Sequence, residues 1–135
     1  MVDRTDHHIL NELSQNSRIT MKELGEKVHL TGQAASDRVA KLEENGVIEG
    51  YSVNVNNAKM GYPVHVFLHI IIHTAHKPYL SFIETQQPYI MNNYRISGDG
   101  CYLLECKFPS HEYVDTFLKS LQEHANYKLS IVINK

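Results

Sequence analysis

From Val64 to His73 every even position is apolar (Val64, Val66, Leu68, Ile70, Ile72), while the odd positions are mixed (His65, Phe67, His69, Ile71, His73). Only a β-strand uses a period of two, so this segment predicts a strand with one deeply buried face and one mixed face. The residues after it repeat the theme. Pro78 to Thr85 reads as a helix with Leu80, Phe82 and Ile83 inward, closed off by Pro88. Ile90 to Ser97 and Cys101 to Phe108 read as strands joined through Gly98-Asp99-Gly100, an antiparallel hairpin. Ser110 caps a helix with Val114, Phe117, Leu118 and Leu121 as its stripe, and Leu129 to Ile133 makes a last strand. The order β-α-β-β-α-β gives a four-stranded antiparallel sheet with both helices on one face. The other face would carry Phe67, Ile71 and Leu103 or Tyr102, too apolar for water, so a homodimer through sheet faces or edges is expected.

The first fifty residues change period. Ile9, Leu10 and Leu13 follow a polar start at Asp3 to Asp6; Thr20 stands three residues before Glu23, and Met21, Leu24 and Val28 make a second stripe. Gly25 inside that helix costs about 1 kcal/mol relative to alanine and predicts a close helix contact. After a break at His29-Leu30, Thr31 can cap a third helix whose inward stripe is Ala35, Val39 and Leu42, stopped by Gly46 with Val47-Ile48 packed behind. Its front, Gly32, Gln33, Ala34, Ala35 and Ser36, is slim and carries short polar tips. A helix pushed end-on into a DNA major groove needs such a front, because bulk would hold its backbone away from the bases. A structural bundle in which Ala34 and Ala35 only permit close packing fits the same pattern. Between the halves, Tyr51 to Val55 alternates like a strand and runs through Asn56-Asn57 into Met60-Gly61-Tyr62-Pro63, a hinge. The expected domains are residues 1–50, a hinge over 51–62, and 63–135.

Composition narrows the function classes. The chain has 135 residues, 42% hydrophobic and 21% charged, as folded globular proteins do. No apolar run is long enough to span a bilayer and the start lacks a signal-peptide core, so a cytoplasmic protein without a membrane partner is expected. Cys101 and Cys106 would lie roughly 16 Å apart on opposite strand faces and cannot bridge. The net charge is −2, with −3 on residues 1–50 and +1 on residues 51–135, so nucleic-acid binding must rest on local geometry.

The stretches DRTDHHILNELSQNSRITMKELGEKVHLT, SDRVAKLEENGVIEGYSVNVN and YRISGDGCYLLECKF, at residues 3–31, 36–56 and 94–108, resemble the Lrp/AsnC (feast/famine) family of prokaryotic transcription regulators. The resemblance covers nearly the whole chain. It implies an α+β architecture: a winged-type helix-turn-helix domain of three helices joined to a ferredoxin-like βαββαβ domain that dimerises, often assembles further into octamers, and commonly binds amino acids. It also implies that Gly98, Asp99, Gly100 and Cys101 lie in the effector-contacting loop. On the DNA side, Gln33 and Ser36 read base edges beside Thr31 and Gly32, Arg38 and Lys41 hold phosphates, and Arg18 and Lys22 offer charge at the start of the second helix. Asp37 is expected to pair with Lys41 at i, i+4.

Rival readings are a small-molecule sensor or protein-interaction module without operator binding, and an enzyme. No nucleophile-base pair, phosphate loop or metal-ligand spacing supports the last, and no cofactor is expected. His65, His69 and His73 share a face, but strand spacing separates successive members by too much for one zinc ion. Cys101 reads as a packing thiol and Asp99 as turn chemistry.

Overall fold

The computed structural model describes every residue except Asp99, and the chain divides into two compact units, Met1–Asn54 and Val55–Lys135. The first holds three helices, α1 (Arg4–Gln15), α2 (Met21–Val28) and α3 (Gly32–Glu44). Their inward stripes meet in one core of Ile9, Leu13, Ile19, Leu24, Val28, Ala35, Val39 and Leu42. Each helix begins on a side-chain cap: Asp3, Thr20 and Thr31 accept hydrogen bonds from the amides of Asp6, Glu23 and Ala34. Gly46, at φ 74°, ends α3 in the left-handed region that glycine enters without strain. Behind it Ile48 packs on the core, whereas Val47 stays exposed, contrary to expectation.

The second unit runs β1 (Val64–Ile71), α4 (Lys77–Thr85), β2 (Ile90–Arg95), β3 (Tyr102–Phe108), α5 (His111–Leu121) and β4 (Asn126–Ile131). Its sheet order is β2-β3-β1-β4, with every neighbouring pair antiparallel. The ferredoxin-like α+β class expected from the sequence is therefore the fold. Val64, Val66, Leu68 and Ile70 face Phe108, Cys106, Leu104 and Tyr102 across the ladder, and all eight are buried with Val114, Phe117 and Leu121 of α5. Burial pushes the Cys106 thiol up to about 12.

Several local expectations need correction. Residues 51–55 form no strand: Tyr51, Val53 and Val55 are exposed and no ladder engages them. In α4 the buried residues are Tyr79 and Ile83, and Leu80 is exposed, because the Tyr79 hydroxyl donates to Asn93 Oδ1 at 2.8 Å and fixes the rotation of this short helix. β4 starts three residues before the expected Leu129, since Tyr127 and Leu129 pair with Ile70 and Leu68 and pack against the core. Tyr102 is on the helix-covered face, against Tyr79 at 4.9 Å between ring centroids, and does not belong to the open face. The open face carries His65, Phe67, His69 and Ile71 of β1, Leu103, Glu105 and Lys107 of β3, Asn92 and Tyr94 of β2, and Asn126, Lys128 and Ser130 of β4.

Candidate nucleic-acid interface

The turn between α2 and α3 is built from three backbone solutions. His29 turns the chain with φ 60°, the only positive-φ residue besides glycine among the described residues. The Leu30 amide then donates to the Gly25 carbonyl at 2.8 Å, drawing the turn onto α2. A Cβ on Gly25 would sit 2.5 Å from the Leu30 carbonyl oxygen and 2.9 Å from that of Thr31, so the close contact foreseen at Gly25 is made with the turn backbone and not with another helix. Gly32 repeats the device: its Cβ would lie 3.4 Å from Lys22 Cα, which sets the first residue of α3 beside the first turn of α2.

That packing sets Gly32 beside Lys22. Thr31, Gln33, Lys41, Lys22 and Arg18 are exposed, and Gly32, Ser36 and Arg38 are half-buried. Thr31 Oγ1 is occupied by the Ala34 amide at 3.1 Å, so its role is to cap α3. Gln33 Nε2 donates to Asp37 Oδ1 at 2.9 Å. Asp37 therefore pairs with Gln33, not with Lys41, because the amide one turn earlier reaches it directly. Among the described residues Arg18, Lys22 and Lys41 enter no ion pair, so their charge is available to a partner. Arg38 differs: its Nη1 donates to Asp3 at 2.7 and 2.8 Å and to Asp6 at 3.3 Å. Its charge is already shared with two carboxylates, a pairing that the expected phosphate role did not include. The Arg38 guanidinium in turn holds the Asp3 carboxyl below the usual carboxylate range.

The expected effector residues behave differently from one another. Gly98 is exposed at φ 99°, and Asp99 lies outside the described residues. Gly100 is buried, with room for a Cβ only 3.4 Å from the Ile70 carbonyl oxygen. The Cys101 amide donates to that carbonyl at 2.6 Å, and its thiol approaches the Ile72 carbonyl at 3.5 Å. Gly100 and Cys101 thus close the end of the β1–β3 ladder.

Sequence reasoning missed two clusters in this unit. His65 Nε2 lies 2.6 Å from Glu105 Oε2, whose other oxygen accepts from Asn92 at 2.8 Å. His76 Nδ1 lies 2.6 Å from Arg95 Nη1 and 3.0 Å from the Tyr102 hydroxyl. Cross-strand register assembles the first and a loop the second, so neither has a signal in local spacing. Among the described residues no three His, Cys, Asp or Glu side chains converge as metal ligands.

The capped three-helix unit, residues 2–49, matches the family of winged helix-turn-helix DNA-binding domains. Over its whole length the chain is 61% identical to the HTH-type transcriptional regulator LrpA of Bacillus subtilis, covering all of both chains. It is 39% identical to LrpB of the same organism, over 99% of this chain and 90% of that one. The solved structure of B. subtilis LrpC superposes with a TM-score of 0.92 at 31% identity, over 100% of this chain and 96% of the other. The chain belongs to the Lrp/AsnC family and is a DNA-binding transcriptional regulator of that type.

Proposed function

We propose that the protein binds imperfectly palindromic duplex sites as a homodimer, with half-sites separated by about one helical turn or a multiple of it. α3 enters the major groove with Gly32 giving backbone approach and Gln33 and Ser36 at base edges. Lys41, Arg18 and Lys22 neutralise phosphates, and Thr31 holds the helix start in shape. The observation that carries this reading is the junction of Gly32 and Lys22, which places a slim helix front next to uncommitted cations. Arg38 is removed from the phosphate contacts because its charge is already held.

The second unit is proposed to dimerise through its open sheet face, where Phe67, Leu103 and Tyr94 lie together, and to allow assembly up to octamers. The unpaired segment 51–55, with Tyr51, Val53 and Val55 exposed, supports pairing with a second copy. An amino acid is the proposed effector, bound near residues 98–101. Two solved structures of the same fold, a feast or famine regulatory protein from M. tuberculosis and NMB0573 from Neisseria meningitidis, are complexes with L-methionine. A cytoplasmic location fits this role, and no helix of the described residues is long and apolar enough to cross a membrane.

Binding to a duplex from the chain's own upstream region, titrated at several salt concentrations, tests the reading. Affinity should fall steeply with salt, and Lys41→Ala should reduce the slope of log affinity against log salt by about 1, the release of one phosphate contact. Salt-independent binding, or none at low salt, would refute it.

A further inference from the structure

α1 starts with two carboxylates at one helix end. Asp3 Oδ1 accepts from the Asp6 amide at 2.8 Å and Asp6 Oδ2 accepts from the Asp3 amide at 3.1 Å, a reciprocal box made by two acids. Like charges held this close repel, and Asp6 is the only buried polar or charged residue among those described, at 8% exposure. A buried carboxylate needs a counter-charge. One guanidinium nitrogen of Arg38, from the second turn of α3, supplies it to both acids. The cluster joins residues 32 and 35 positions apart in sequence, so it is a tie between the first helix and the groove-facing one.

The apolar seat of α3 leaves something for that tie to do. Ala35, Val39 and Leu42 form the inward stripe of α3, its first member a single methyl group, and the Gly25 and Gly32 contacts hold only the start of the helix. Arg38 is adjacent to buried Val39 and on the flank of the stripe, where a directed ion pair fixes the rotation. Rotation decides which of Gln33 and Ser36 is presented to a base edge.

We propose that the Asp3-Asp6-Arg38 cluster is a positioning device that sets the rotation of α3 for specific DNA recognition, with Arg38 acting through its carboxylates and not through a phosphate. The inference rests on the groove-binding reading above. The alternative assignment makes the opposite prediction in sign. If Arg38 gripped phosphate, neutralising Asp3 or Asp6 would release its charge, remove a negative charge from the domain and strengthen binding. As a positioning device, the same changes weaken it.

Full-length protein is to be titrated with its upstream duplex and with a scrambled duplex of equal length, across a salt series, as wild type, Asp3→Asn, Asp6→Asn, Arg38→Ala and Arg38→Lys. Asp3→Asn retains the capping oxygen and loses only charge, which keeps the test open should Asp6→Asn fold poorly by thermal melting. The expected result is a loss of about tenfold in specific affinity for Asp3→Asn and Arg38→Ala, with unchanged scrambled-duplex binding, an unchanged salt slope, and partial rescue by Arg38→Lys. A double variant should be no worse than Arg38→Ala alone. Tighter binding by Asp3→Asn, or a slope reduced by about 1 in Arg38→Ala, overturns the proposal while leaving groove binding intact. Equal loss on both duplexes also overturns it, as a folding defect. Wild type that binds neither duplex overturns both readings.

Discussion

The two units of the chain solve opposite surface problems. The helical unit buries most of its apolar stripes and turns outward short polar side chains and uncommitted cations, although residues 1–50 carry a net charge of −3. Asp3 and Asp6 share the single positive charge of Arg38, whereas Lys22 and Lys41 enter no ion pair among the described residues, so the net figure does not say which charges are open to a partner. The sheet unit covers one face with α4 and α5 and leaves Phe67, Leu103 and Tyr94 on the other. One unit offers a surface suited to a hydrated polyanion; the other offers apolar surface suited to another protein face. Net charge and mean composition describe neither, because each function depends on which side of an element a residue occupies.

Phe108→Ala removes a fully buried ring stacked near Tyr89, Tyr113 and Phe117 and should destabilise the sheet unit by about 4 kcal/mol. Amide hydrogen exchange should then accelerate in β1 and β3 but not in α1–α3; acceleration in both would mean the units are not independent. Gly25→Ala forces a methyl against two carbonyl oxygens and should cost the helical unit about 3 kcal/mol, abolishing DNA binding, with the sheet unit's exchange unchanged. Gly50→Ala meets no atom within 4 Å and is its control. Leu103→Glu should weaken self-association about 100-fold, read by sedimentation, with the far-UV spectrum retained. The smallest effect concerns acid. Because Arg38 lowers the folded-state pKa of Asp3, its contribution is present above the ordinary value of 3.8 and lost as pH falls through the lower folded value. Asp3→Asn should therefore lower stability at neutral pH and flatten the acid limb of a stability-pH profile, wild type and variant converging once Asp3 is protonated.

Legibility in sequence followed the range of the interactions. Thr20 and Thr31 could be read as caps because a cap bonds three residues away, and Ala35, Val39 and Leu42 because a stripe repeats within one helix. The β1 alternation and the β2–β3 hairpin were equally plain. Tyr79 was exchanged for Leu80 because a short helix behind Pro78 has no local signal for its rotation, which a hydroxyl bond to Asn93 in another strand decides. Residues 51–55 alternate like a strand, but a ladder needs a partner, and none lies within this chain's described residues. Asp37 chose Gln33 over Lys41 although both are four positions away, a competition that spacing does not resolve. The Arg38 cluster was invisible for a stronger reason: an arginine on a recognition helix suggests phosphate, and its carboxylate partners lie more than thirty residues upstream.

The claim that the front of α3 is the surface that meets DNA is tested most directly by placing one negative charge on each of two serines of the helical unit, one half-buried and one exposed. Full-length Ser36→Glu, on the front of α3, and Ser14→Glu, near the end of α1, are titrated against the upstream duplex by fluorescence anisotropy at fixed salt. The account predicts a loss of about 100-fold for Ser36→Glu, where the charge meets bases and phosphates, and less than about twofold for Ser14→Glu. Equal losses, or a larger loss at Ser14, would contradict it.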